Sequence, residues 1–200
     1  MDNKVLIDPP KPVVFFDVET NGLNKNSSVL SITAIKALYN GKDIDTIEII
    51  FTRFYYRKDG ERVNPAALEV NGLTDEVIRE KRGNAPYAEH FCDDKDFKTL
   101  CTGVRHYVGH NIAFDRKFVA FPLKHCFCTM RENTAIVKIR RYTGGFKYPR
   151  LSETAAFYGL SPDMNKLHGS EYDTRLTYEI FRKMMNESRT KSRVYEFLNR

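Results

Sequence analysis

An α/β domain built on a mixed sheet is the fold this sequence predicts, and three features predict it. Three β-rich runs joined by turn signals open the chain, helix-like and strand-like segments alternate after them, and 42% of the 200 residues are apolar, enough for a sizeable core.

The first run, Lys11-Pro-Val-Val-Phe-Phe-Asp17-Val-Glu19, is ended by Thr20-Asn21-Gly22, a strand followed by a turn. Val29 to Leu38 predicts a second strand, Asn40-Gly41 a hairpin turn and Ile44 to Tyr55 a third strand, together an antiparallel meander. Asn64-Pro65 opens a short helix, with proline in its favoured first-turn place, and Asn71-Gly72 stops it. Thr74, followed by Asp75 and Glu76, starts a second helix to about Lys81. After a loop over Gly83 to Pro86, a helix is expected from about Tyr87 to Cys101. Val104 to Val108 predicts a strand with Gly109-His110-Asn111 as its exit, and the spacing of Phe114, Phe118 and Phe121 predicts a helix over Ile112 to Phe121. A short strand near Phe127, a helix from about Arg131 to Arg140, a loop from Tyr142 to Pro149 and a helix capped by Ser152 and ending at Gly159 follow. A further helix is expected from Ser170 to Met185. The organisation expected is an extension over 1–12, one domain over 13–185 and a basic tail over 186–200 with helical character.

Lys and Arg outnumber Asp and Glu by 32 to 26, a net charge of +6 that favours encounter with a polyanion without specifying a reaction. No stretch has the apolar length to cross a bilayer, and residues 1–11 are polar with Pro9 and Pro10, unlike a secretory signal. A soluble, cytoplasmic protein with no membrane partner is therefore expected. Disulfides are not expected there, and His125, Cys126 and Cys128 lack the second ligand pair of a zinc site, so they read as strand residues.

Asp17 and Glu19 stand two apart on the first strand, so both carboxylates project from one face. Paired acids among Phe15, Phe16 and Val18 repel one another and are costly to desolvate; a divalent cation with a preference for oxygen removes both objections. Alone, the pair reads equally as an exposed strand end. Asp115 approaches the sheet from the first turn of the helix after Gly109-His110-Asn111, where it could also simply complement the helix dipole. With Ser170 as the cap of the last long helix, Asp173 lies in its first turn and His168 on the loop before it. Four carboxylates and one histidine on three segments make a set suited to two-metal phosphodiester hydrolysis.

With those residues the chain closely resembles the DnaQ-like, or DEDDh, 3′→5′ exonucleases, which include polymerase proofreading subunits and ribonuclease T. The family's Asp-x-Glu-Thr-x-Gly-Leu matches Asp17-Val-Glu19-Thr20-Asn21-Gly22-Leu23, its His-Asn-x-x-Phe-Asp matches His110-Asn111-Ile-Ala-Phe114-Asp115, and its His-x₄-Asp matches His168 and Asp173. The resemblance runs from about Val13 to Phe181. It implies a ribonuclease-H-like, five-stranded mixed sheet flanked by helices, with the second strand antiparallel to the rest. It also implies that Asp17, Glu19, Asp115 and Asp173 hold two Mg²⁺ (or Mn²⁺) ions and that His168 is the general base. Thr20, Leu23 and Asn111 are implied to contact the terminal nucleotide. Where the family often has His-Gly-Ile/Leu-Thr, this chain has Asn71-Gly72-Leu73-Thr74, and Ala85 to Lys98 matches no motif. The function expected is metal-dependent release of 5′-mononucleotides from single-stranded 3′ ends, DNA favoured, in proofreading or repair, with a DNA polymerase subunit as a candidate partner. Two alternatives stand beside it: an RNA-directed exonuclease of the same superfamily and a non-catalytic nucleic-acid-binding module.

Overall fold

A computed structural model describes residues 9–200, so most of the expected extension over 1–12 lies outside the described residues. The strands β1 (Lys11–Thr20), β2 (Val29–Tyr39), β3 (Thr46–Phe54), β4 (His106–Gly109) and β5 (His125–Cys128) form one sheet in the order β3-β2-β1-β4-β5. β1–β2 and β2–β3 are antiparallel, while β1–β4 and β4–β5 are parallel. The sheet is thus mixed and five-stranded with β2 reversed, as the resemblance implied. The meander also forms as expected. Between β2 and β3 it turns through a loop over 40–45, in which the Asn40 side chain accepts from the amides of Lys42 and Asp43.

The parity of β1 assigns its side chains to two cores. Val13 and Phe15 join Ile35, Ala37 and Tyr39 under α7 (Ser170–Asn186) and α8 (Lys191–Leu198). Val14, Phe16 and Val18 join Ile32, Ala34, Tyr55 and Phe97 on the other face. Asp17 and Glu19 continue the odd-numbered face, so they emerge beneath α7. β4 pairs with β1 only as far as Phe15↔Val108, and β1 runs on past that pairing to Thr20. The acids therefore lie at the carboxyl ends of the parallel strands, the usual place for a ligand crevice in an open α/β sheet. Gly109 is needed at that edge, because a Cβ there would sit 3.0 Å from Cβ of Ile112.

Helices α1 (Pro65–Asn71, capped by Asn64) and α2 (Asp75–Arg82, capped by Thr74) occupy the expected places. Several other expectations need correction. The helix expected over Tyr87 to Cys101 reduces to a 3₁₀ turn at Phe91–Asp93 and the short α3 (Asp96–Leu100). Asp94 breaks it: its carboxylate takes hydrogen bonds from Arg53, Tyr55 and the Asp96 amide, partners incompatible with a continuing helix. Tyr87 is meanwhile drawn onto the guanidinium groups of Arg53 and Arg82, each 4.4 Å from its ring centre. The helix expected over Ile112 to Phe121 stops as α4 (Ile112–Asp115). Lys117 and Phe118 then make i→i+3 turns, which lets Phe118 and Phe121 reach the aromatic core of the second face.

α5 spans Thr129–Val137, earlier than expected, and ends at Lys138 in the left-handed region. α6 (Leu151–Phe157) is capped at Arg150, not Ser152; the Glu153 carboxylate accepts from the Arg150 amide at 2.7 Å. Gly169, not Ser170, is the cap of α7. The Ser170 hydroxyl instead bonds those of Ser31 (2.9 Å) and Thr33 (3.0 Å) on β2, tying the start of α7 to the sheet. α8 forms within the basic 186–200 segment and buries Val194, Phe197 and Leu198 in the first core. No helix among the described residues is long and apolar enough to cross a membrane.

β5 presents His125 beside His106 of β4, ring centres 5.3 Å apart, with Phe197 edge-on to His106 at 5.1 Å. Burial, then the neighbouring charges of His125, Lys11 and Arg105, push the His106 imidazole down from 6.5 to about 4. Because the folded state holds this proton less tightly than the unfolded chain, its contribution to stability is intact above pH 6.5 and lost as the pH falls toward 4. Urea unfolding at both ends of that window should show His106→Leu losing about 1–2 kcal/mol less than the parent. An identical acid loss in the variant would clear His106 of this role.

Candidate active site

Asp17 and Glu19 come from the end of β1 and Asp173 from the first turn of α7, and one oxygen of each lies within 4.8 Å of the others. Asp115 arrives from the β4 side, as the last residue of the one-turn α4. It is 2% exposed, and its Oδ1 accepts from the Val18 amide at 3.2 Å, satisfying a β1 group that lies beyond the pairing with β4. All four acids assigned to the metal site thus converge, with Asp115 anchored on the strand that carries two of the others.

Their titration records how unfavourable the cluster is without a counter-charge. Burial raises Asp17 well above the carboxylate range, and the charges of Asp115, Glu19 and Asp173 raise it further. Burial, then Asp173 and Asp115, push Glu19 up to about 9. Asp115 is raised to about 7 by burial, although the Val18 amide pulls the other way, and Asp173 to about 6 by burial against the His168 amide. Oδ1 of Asp173 is buried with no hydrogen-bond partner among the described residues. An orphaned carboxylate oxygen within a knot of raised acids fits hard divalent cations such as Mg²⁺ or Mn²⁺.

His168 stands exposed at the lip of the cluster with φ 64°, an uncommon conformation for a residue other than glycine, and its amide donates to Asp173 Oδ2 at 3.1 Å. That turn places the base candidate and one acid on a single short segment. His110 of the second motif plays a different part. Its ring is held by the Thr129 hydroxyl (2.9 Å) and the Pro149 carbonyl (3.1 Å), and burial pushes it down to about 4, so it is a neutral tether between β4, α5 and the loop before α6.

Two cavities meet at Glu19 and Asn71. One of about 440 Å³ is lined by Thr20, Leu23, Ala67, Val70, Asn71 and Phe114; Leu23 is 81% exposed into this open, apolar space. The other, about 540 Å³, is lined by His168 and Tyr172 together with the basic side chains of Lys81, Lys166 and Arg175. Thr20 lines the first cavity, but its hydroxyl is bonded to the Gly22 carbonyl at 2.8 Å, so it shapes the loop. Asn111 lines neither cavity. It is exposed at φ 78° at the head of α4, and its side chain caps no helix.

The loop after β1 is clamped from a distance. Glu61 accepts from the Asn21 side chain at 2.8 Å and from the amide and hydroxyl of Ser28. Burial pushes Glu61 up, but those hydrogen bonds outweigh it and leave the carboxyl below its ordinary range. Gly22 is crowded in the same loop, since a Cβ would meet Ser27 Oγ at 2.9 Å. Sequence reasoning missed Glu61, Val70 and the three basic residues of the second cavity, for none stands in a motif. Asn71 read as a helix stop; it also donates to the Thr20 carbonyl at 3.1 Å, joining α1 to the site loop.

Residues 14–181 match the model of the RNase_T family, described as exonuclease. DNA polymerase III subunit epsilon of Escherichia coli (strain K12) is 26% identical over 186 residues, 84% of this chain and 69% of the relative. A PolC-type DNA polymerase III of Staphylococcus epidermidis is 27% identical over 178 residues, 87% of this chain but only 11% of that polymerase. Among solved structures, exonuclease X in complex with 5′ overhanging duplex DNA superposes with a TM-score of 0.61 at 18% identity, covering 92% of this chain and 99% of the other. E. coli exonuclease I in complex with a dT13 oligonucleotide gives 0.68 at 13% identity, covering 94% of this chain and 43% of that one.

Proposed function

The chain belongs to the RNase_T exonuclease family, and from that membership we propose that it removes nucleotides one at a time from the 3′ end of single-stranded DNA, releasing 5′-mononucleotides. The observation that carries this reading is the convergence of Asp17, Glu19 and Asp173 oxygens within 4.8 Å, with Asp115 locked to the same strand. The preference for DNA rests on likeness to polymerase III subunits and to exonucleases solved with DNA. The same likeness supports proofreading or DNA repair as the setting, with a polymerase subunit as the partner that proofreading calls for.

Asp17, Glu19, Asp115 and Asp173 would hold two Mg²⁺ or Mn²⁺ ions. Such ions would lower the pKa of water, easing its deprotonation for attack on phosphorus, and would offset the charge that builds on the leaving 3′-oxygen. The remaining work falls to the protein's own groups. His168, at the exposed lip beside Asp173, receives the proton of the attacking water. Leu23, Val70 and Phe114 offer an apolar wall to the terminal base, and Asn71 a polar group beside it. Lys81, Lys166 and Arg175, in the adjoining cavity, add positive charge that attracts the scissile phosphate.

Digestion of end-labelled single- and double-stranded DNA and RNA, with Mg²⁺, Mn²⁺ or chelator, tests the proposal. Stepwise loss of 3′ nucleotides from single-stranded DNA, abolished by chelator, is expected. Faster turnover on RNA would move the enzyme to the RNA-directed branch, and binding without mononucleotide release would make it a binding module.

A further inference from the structure

A third cavity, about 280 Å³, lies on the far side of the 21–28 loop from the acids. Its rim carries Lys25, Lys58, Lys95 and Lys98, and its floor presents the half-buried rings of Tyr56, Phe91, Phe118 and Phe121. Asp94 is the carboxylate among its lining residues, and it is already held by Arg53 and Tyr55. The rim is thus strongly cationic over an aromatic floor. Much of it comes from residues 90–98, the stretch that matched no motif.

Resting on the exonuclease reading above, we propose that this cavity is an accessory subsite that takes one internal nucleoside of the substrate strand, its base against the aromatic floor and its flanking phosphates on the lysines. The chemistry is that of sequence-tolerant single-strand binding: every base has a face to stack, and every phosphate attracts an ammonium. The volume lies near the lower end of ligand pockets, suited to one nucleoside. Continuity with the catalytic cavity supports the strand as occupant. Gly22 and Leu23 line the catalytic cavity while Lys25, Ser27 and Ser28 of the same loop line this one. Phe114 of the first touches Phe118 of the second edge-on, ring centres 5.2 Å apart. A strand leaving the catalytic cavity across this loop passes from Phe114 to the aromatic floor of the third cavity. The broken helix over 87–101 has a consequence here, since its short pieces turn Phe91 and the α3 lysines toward one opening.

Replacing Lys95 and Lys98 together by alanine, at the start of α3 and remote from the four acids, tests the proposal. On a DNA strand of about 15 nucleotides the double variant should raise KM about 10-fold with kcat unchanged, and its salt dependence should weaken by about 0.7 in log–log slope for each phosphate the lysines no longer neutralise. Hydrolysis of the p-nitrophenyl ester of thymidine 5′-phosphate, too short to reach the subsite, should equal the parent's. An unchanged KM and slope on the long strand would overturn the subsite and leave the exonuclease reading standing. Were the parent inert on both substrates, the exonuclease reading would fail instead. The subsite would then be judged by strand binding to the Asp17→Asn protein, where equal affinity with and without the two lysines overturns it. Photocrosslinking of 5-iodouracil placed at an internal position should map to Phe91, Phe118 or Phe121. Loss of that adduct on adding a small excess of free thymidine 5′-phosphate would mark a product-binding site and overturn the strand assignment.

Discussion

Asp17→Asn should lower turnover about 10³-fold while making the metal-free protein more heat-stable. The first effect follows from removing a group that organises charge at the reacting phosphate. The second follows from the acids themselves. Asp17 is raised by burial and by Asp115, Glu19 and Asp173, and Glu19 reaches about 9. Carboxyls whose folded pKa exceeds the unfolded one contribute fully to stability only below the ordinary carboxylate range, and that contribution is lost as pH rises toward about 9. At neutral pH the metal-free cluster is therefore destabilising, and converting one acid to an amide relieves it. A gain of about 2–5 °C in Tm is expected without metal. Added Mg²⁺ or Mn²⁺ should raise the Tm of the parent and leave that of the variant nearly unchanged. Thermal melts with and without metal, beside turnover on labelled DNA, check both halves. A variant that keeps near-parental turnover would end the assignment of Asp17 as a ligand.

His168→Ala should cost about 10²–10⁴ in kcat, the range for a positioned general base, while metal-dependent stabilisation is retained. The separation is possible because the link from this turn to Asp173 is the His168 amide, which the substitution keeps. Added imidazole should restore part of the lost rate, and the pH dependence of kcat/KM should change shape. If the variant's pH–rate profile matched the parent's, the proton would have another acceptor. The left-handed backbone at His168 adds a second comparison. His168→Gly removes the ring and eases the backbone, so it should lose the same activity and regain some of the stability that His168→Ala forfeits.

What the sequence determined by itself was local and periodic. Parity along β1 is a property of any strand, so Asp17 and Glu19 had to share a face with Val13 and Phe15. The caps at Asn64 and Thr74 also depend only on near neighbours, and both helices start where their sequences say. The matching of Asp115 and Asp173 to their motifs added the expectation of convergence, which local pattern alone could not supply.

Tertiary structure decided everything that turns on partners distant in the chain. A helix is expected over Tyr87 to Cys101, but Arg53 and Tyr55, some 40 residues earlier, take the Asp94 carboxylate and break it. Ser170 suits a helix cap, yet Ser31 and Thr33 claim its hydroxyl across 139 and 137 residues. Glu61 holds the loop after β1 from outside every motif. Propensity weighs tenths of a kcal/mol per residue, whereas a hydrogen bond to a charged group is worth about 1.5–3, so Arg53 and Tyr55 prevail over the helix at Asp94.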